Sequence, residues 1–153
     1  MARSLAGTRA YDFDCVYRGT RLNYIGAMSL RGVLSLQLLP KSLDGESYKQ
    51  FIREKLVPKL WVGAVLVADN LKAHKVEGVQ EMIEAAGAKM VYLPRYSPEF
   101  NPIEHLWSEL KAFIRRFKPK NVDAVEKLLE IGLLLHTSET TRNYFTHCCY
   151  CAT

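Results

Sequence analysis

The stretch Val62-Gly63-Ala64-Val65-Leu66-Val67-Ala68, followed at once by Asp69-Asn70, decides the fold. It is an almost unbroken apolar run bounded by polar residues. Such a run predicts a strand buried on both faces, as in a parallel sheet. Working forward, residues 75–86 have helical spacing, and Gly87 follows as a common C-cap residue. Met90-Val91-Tyr92-Leu93 then reads as a second short strand. Strand, helix and strand within about thirty residues make a βαβ unit, whose crossover is right-handed.

Working backward, Leu22-Asn23-Tyr24-Ile25-Gly26-Ala27-Met28-Ser29-Leu30 and Val33-Leu34-Ser35-Leu36-Gln37-Leu38-Leu39 read as strands. Arg31-Gly32 between them is the turn of an antiparallel hairpin. Residues 45–56 follow as a helix with Tyr48, Phe51, Ile52 and Leu56 on one face, ended by Pro58. Beyond the βαβ unit the pattern is helical, over residues 102–117, 122–136 and 138–145. The expected architecture is α/β: a hairpin, a parallel unit and C-terminal helices. No repeat or linker divides the 153 residues, so residues 1–153 are expected to form a single domain.

Composition narrows the class. Hydrophobic residues make up 48% and charged residues 24%, which excludes a disordered chain. No apolar run approaches the roughly 20 residues of a membrane helix, and the first residues hold no secretory signal. The expectation is a cytoplasmic protein with no membrane partner. The net charge is +5, with 10 basic and 5 acidic residues over 1–68 and 11 of each over 69–153. Within the neutral half, Lys111, Arg115, Arg116, Lys118 and Lys120 form a run without an acid among those positions. It reads either as a solvated helix face or as a phosphate-binding track. Cys148, Cys149 and Cys151 crowd the C-terminus beside His147, at a spacing unsuited to zinc, so reduced thiols are expected.

Asp69 and Asn70 stand at the carboxyl end of the decisive strand, where ligands bind in open α/β sheets. They also suit a turn. His74 is either loop surface or a residue that orients a ligand. Further on, Asn101, Pro102 and Glu104 fit the N-cap, first and third positions of a helix. Glu104 could be a capping-box carboxylate. It could equally be an ionised ligand held beside the positive end of the helix dipole, on a helix anchored by Ile103, Leu106, Trp107 and Leu110. Two carboxylates at one sheet edge, near Lys and Arg, suggest a magnesium-dependent phosphoryl-transfer site.

Val65-Leu66-Val67-Ala68-Asp69-Asn70, His74 and Leu93-Pro94-Arg95-Tyr96-Ser97-Pro98-Glu99-Phe100-Asn101-Pro102-Ile103-Glu104-His105-Leu106-Trp107 together resemble the DDE superfamily endonucleases. These are the catalytic domains of mariner-type bacterial insertion-sequence transposases. Thirty-four residues separate Asp69 from Glu104, a spacing found in many members. Weaker similarity runs through Ala2-Arg3-Ser4 with Gly7-Thr8-Arg9-Ala10, residues 24–32, and Phe145-Thr146-His147-Cys148. The resemblance implies an RNase H-like fold, Mg²⁺ or Mn²⁺, and cutting and joining of DNA at transposon ends. It gives Asp69 and Glu104 the second and third places of an acidic triad and makes both metal ligands, with Asn70, His74 and Asn101 in support.

The first Asp of that triad would precede Met1; Asp12, Asp14 and Asp44 do not match its place. The expectation is therefore an RNase H-like fold incomplete at its N-terminus, inactive alone, and suited to a homodimer or to pairing with an upstream transposase segment. The rival reading is a non-catalytic DNA-binding or transposase-assembly relic.

Overall fold

A computed structural model of the chain describes residues 22–39 and 41–150. Cys15, Cys151, Asp12, Asp14 and the family-like stretch over residues 2–10 lie outside the described residues.

The hairpin forms as the alternation requires. Strand β1 (Asn23–Ser29) pairs antiparallel with β2 (Gly32–Leu39), and the register shifts between Ala27 and Met28. The turn sits at Leu30-Arg31, one residue earlier than expected, and Gly32 opens β2 at φ 131. Few side chains tolerate that backbone, which explains the glycine. The two faces of the hairpin serve two cores. Ile25 and Leu39 join Tyr48, Phe51, Ile52, Leu56, Val79 and Ile83 on one side. Tyr24, Met28, Val33 and Leu36 pack on Leu106, Leu110 and Leu129 on the other.

The first core is covered by α1 (Gly45–Phe51), which continues as one wide turn (Ile52–Leu56) and a tight one (Val57–Lys59). Asp44 caps α1, its side chain accepting from the Ser47 N–H at 2.8 Å, and those hydrogen bonds hold its carboxyl below the usual range. Pro58 lies inside the tight turn, where its missing N–H costs little.

Strand β3 (Val65–Ala68) lies parallel to β4 (Lys89–Tyr92), with Val65 opposite Lys89 and Ala68 opposite Tyr92. The βαβ expectation holds, but burial on both faces does not. Leu66 and Met90 pack on the first core, whereas Val65 is 57% and Val91 48% exposed. The strand is also shorter than the apolar run. Gly63 turns at φ 86 and Val62 lies outside, 85% exposed. The cause is coverage: the C-terminal helices pack on the hairpin, and no described helix covers the second face of β3–β4. The crossover helix α2 (Val79–Ala85) begins later than residue 75, because Gly78 at φ 84 breaks the backbone ahead of it.

The second core is helical: α3 (Pro102–Phe117), α4 (Val122–Leu135) and α5 (Ser138–His147). Gly132 lets α4 approach α3 closely, since a Cβ there would lie 2.9 Å from Leu110 Cδ2. At the hairpin the result is three layers, with β1–β2 between α1–α2 and α3–α5. Among the described residues no helix is long and apolar enough to cross a membrane.

Candidate active site

Asp69 follows the last rung of the parallel ladder, where the Leu93 N–H donates to the Ala68 carbonyl at 2.8 Å. Its side chain is 35% exposed, and its Oδ1 contacts His74 Nδ1. His74 is held at its ring and at its main chain. The imidazole centroid lies 4.4 Å from the ring of Tyr48, and the Tyr92 hydroxyl donates to the His74 carbonyl at 2.8 Å. Burial, with Tyr92 and Asp69 nearby, pushes the Tyr48 phenol far above its ordinary value, so it stays neutral at physiological pH. Asn70, next in the chain, has a buried side-chain oxygen without a hydrogen-bond partner among the described residues, and it does not line the cleft that holds Asp69 and His74.

Glu104 occupies the third position of α3. Asn101 stands at the N-cap, but its side chain makes no capping hydrogen bond; only its carbonyl accepts, from the Glu104 N–H at 3.0 Å. The capping-box reading is therefore not realised, and both side chains remain available to the cleft. The helix itself is anchored by Leu106 and Leu110, while Trp107 lies against β1 at Gly26, where a Cβ would meet its ring at 3.2 Å.

One cleft of about 270 Å³ gathers these parts. Asp69, His74, Asn101 and Glu104 line it, together with residues 24–28 of β1 and 65–68 of β3. Side chains of a strand alternate between faces, so a cavity on a face meets every second residue. A cavity lined by consecutive residues of both strands instead lies along their edges. β1 pairs only with β2 and β3 only with β4 among the described residues, so two unpaired edges flank one cleft that ends at the two carboxylates.

Lys111, Arg115, Arg116, Lys118 and Lys120 are all exposed, and none pairs with a described acid. Glu104, Lys111 and Arg115 are spaced by seven and four residues, so they share one stripe of α3. Lys118 ends the helix at φ 46, where the dipole favours cations. Sequence reasoning missed Tyr48 and Tyr92 as supports of His74. Their helix and strand patterns mark them as core, and nothing in the spacing tells which ring meets an imidazole. Cys148 is buried, with its thiol pushed up by burial, and Cys149 is exposed. Among the described residues no three His, Cys, Asp or Glu side chains converge as a metal-binding group.

Hard Mg²⁺ takes oxygen ligands and is commonly held by one or two carboxylates with the rest from water and phosphate. Asp69 and Glu104, both lining the cleft, suit that chemistry.

The sequence matches the family described as DDE superfamily endonuclease over residues 1–126. The Transposable element Tc1 transposase of Caenorhabditis elegans is 34% identical over 68 residues, 44% of this chain and 25% of that protein. The structure is similar to the Mos1 strand transfer complex, with TM-score 0.71 at 18% identity, over 97% of this chain and 46% of that one. It is also similar to the Mos1 transposase catalytic domain solved with raltegravir and Mg, with TM-score 0.69 at 16% identity, over 83% and 69%. The chain thus spans a quarter of the curated relative and under half of the longer solved chain.

Proposed function

Because the chain belongs to the DDE superfamily endonucleases, with an RNase H-like α/β fold, we propose that it is a catalytic-domain segment of a mariner-type bacterial insertion-sequence transposase. Its chemistry is cleavage and strand transfer of DNA at transposon ends, carried out in the cytoplasm. The observation that supports this reading is that Asp69 and Glu104, with thirty-four residues between them, both line one cleft.

In this reading Asp69 and Glu104 hold Mg²⁺ or Mn²⁺. When bound, the ion polarises the phosphodiester and lowers the pKa of the attacking water. His74 fixes the rotamer of Asp69, Asn70 offers an amide oxygen, and Asn101 orients the phosphate or its water at the start of α3. Lys111 and Arg115 continue the Glu104 stripe by roughly 10 and 16 Å, at about 1.5 Å rise per residue. With Arg116, Lys118 and Lys120 they hold the DNA backbone, which positions the duplex and carries little sequence information. The two-carboxylate set, and the edges of β1 and β3 that no described strand pairs, support a site completed by a strand bearing a further Asp, from an upstream transposase segment or a partner copy. Alone, the chain binds metal and DNA without cutting.

Mn²⁺ titration of the whole chain tests the site. Weak binding that is lost in Asp69→Asn and in Glu104→Gln supports the reading; binding indifferent to both substitutions overturns it. The DNA track is tested separately by salt dependence. Affinity should fall steeply with salt as phosphates release counterions, and Arg115→Ala with Arg116→Ala should reduce both the affinity and the slope.

A further inference from the structure

The loop Pro94-Arg95-Tyr96-Ser97-Pro98-Glu99-Phe100 joins the end of β4 to the start of α3. Tyr96 in it is 97% exposed and adopts φ 59. Both features run against ordinary folding preferences. A large ring is normally drawn inward, and a bulky side chain rarely enters the left-handed region. Nor is the loop slack. The Ser97 hydroxyl donates across Tyr96 to the Arg95 carbonyl at 3.4 Å, and Pro98–Phe100 forms a tight helical turn closed by the Asn101 N–H on the Pro98 carbonyl at 3.0 Å. Pro94 and Pro98 restrict the backbone on both sides. The ring is held outward by its surroundings, and such strain clusters at functional sites.

Its position is fixed by connection to both carboxylates. Leu93 bonds to Ala68, the residue before Asp69, and Asn101 lines the cleft with Glu104. Tyr96 does not itself line the cleft; it lies in the loop joining its two sides, three residues along the chain from Leu93 and five from Asn101. No described aromatic ring or cation covers it. Its exposed neighbours are Pro94, Arg95, Pro98 and Glu99, with Phe100 40% exposed farther along. A fully exposed ring in a loop that also carries the charged Arg95 and Glu99 suits the π-face of a base. Bases inside a duplex do not present that face.

We infer that Tyr96 is a stacking platform for an unpaired nucleotide held at the mouth of the Asp69–Glu104 cleft. The inference rests on the reading that the substrate is DNA. It adds that the strand is locally unpaired beside the phosphodiester.

The test uses the whole 153-residue chain and two duplexes of equal length, one blunt and one with a short single-stranded end carrying 2-aminopurine. The wild-type chain should prefer the frayed duplex by at least about fivefold and quench its fluorescence, in line with stacking energies on exposed aromatics. Tyr96→Phe should keep the preference and the quench. Tyr96→Ala should lose both while its affinity for the blunt duplex is unchanged, and circular dichroism should show an unaltered fold. Equal affinity of the wild type for both duplexes, or a preference retained by Tyr96→Ala, overturns the inference while leaving the DNA reading intact. Failure to bind either duplex at low salt overturns both. A change in oligomeric state on Tyr96→Ala with the preference intact assigns the ring to a protein contact instead.

Discussion

Asp69 stands past the last rung of a parallel ladder with the His74 imidazole against one oxygen; that ring rests on Tyr48, and the His74 main-chain carbonyl accepts from the Tyr92 hydroxyl. A partner of this kind fixes the rotamer of a metal-binding carboxylate, and its loss typically costs ten- to hundredfold in affinity. His74→Ala should accordingly weaken Mn²⁺ binding about tenfold or more, whereas a surface change such as Glu81→Gln should not; equal affinities by calorimetry would remove His74 from the site. Tyr48 makes a second prediction. Its phenol is raised above the ordinary 10.0 chiefly by burial, so above that pH the unfolded chain releases a proton that the folded chain retains. The folded state then binds more protons, and stability falls as pH rises. Tyr48→Phe should flatten the alkaline decline seen in urea unfolding beyond about pH 10; an unchanged slope would show that other tyrosines dominate. Asp69 and Glu104 were legible because a sheet edge and a helix start are readable from pattern. The Tyr48–His74 contact was not, because it joins residues whose meeting depends on how α1 packs.

At the scale of elements, α3 shows what periodicity can and cannot tell. Ile103, Leu106, Trp107 and Leu110 mark its buried face by spacing alone, and the structure agrees. The same pattern could not decide whether Asn101 caps the helix, since a good capping residue is also a good polar ligand. The structure separates two asparagines in this respect. Asn121 caps α4, accepting from the Ala124 N–H at 2.8 Å, while Asn101 caps nothing with its side chain. Asn121→Ala should therefore cost about 1 kcal/mol, and Asn101→Ala less than about 0.5 kcal/mol. Urea midpoints measure both, and equal losses would restore the capping role to Asn101. β3 illustrates the opposite limit. Its apolar run shows that burial is favourable there, but which helices cover its faces is decided by α3–α5 packing on the hairpin, far away in sequence.

Across the whole molecule the sheet is divided. β1–β2 and β3–β4 stand as separate pairs among the described residues, with their free edges along the cleft that ends at Asp69 and Glu104. Hairpin and βαβ unit were readable because each is local. The gap between them was not readable from spacing, because it is a property of two edges brought together by the fold. Unpaired edges accept an added strand through main-chain hydrogen bonds. A strand seated between them would bring one of its ends near the two carboxylates. On the proposed function, the site lacks a carboxylate until such a strand arrives. Losing preorganised charge stabilisation typically lowers rates by a factor of hundreds or more, and no third ligand converges on Asp69 and Glu104 among the described residues. The chain by itself should therefore leave supercoiled plasmid intact in Mn²⁺, while still binding it in a salt-dependent way. Joining an Asp-bearing strand upstream, or adding it as a separate chain, should restore metal-dependent nicking, and the same strand with Asp→Asn should bind without restoring it. Nicking by the unaided chain that disappears in Glu104→Ala would show instead that two carboxylates suffice, and that the open edges serve a different purpose from completing the site.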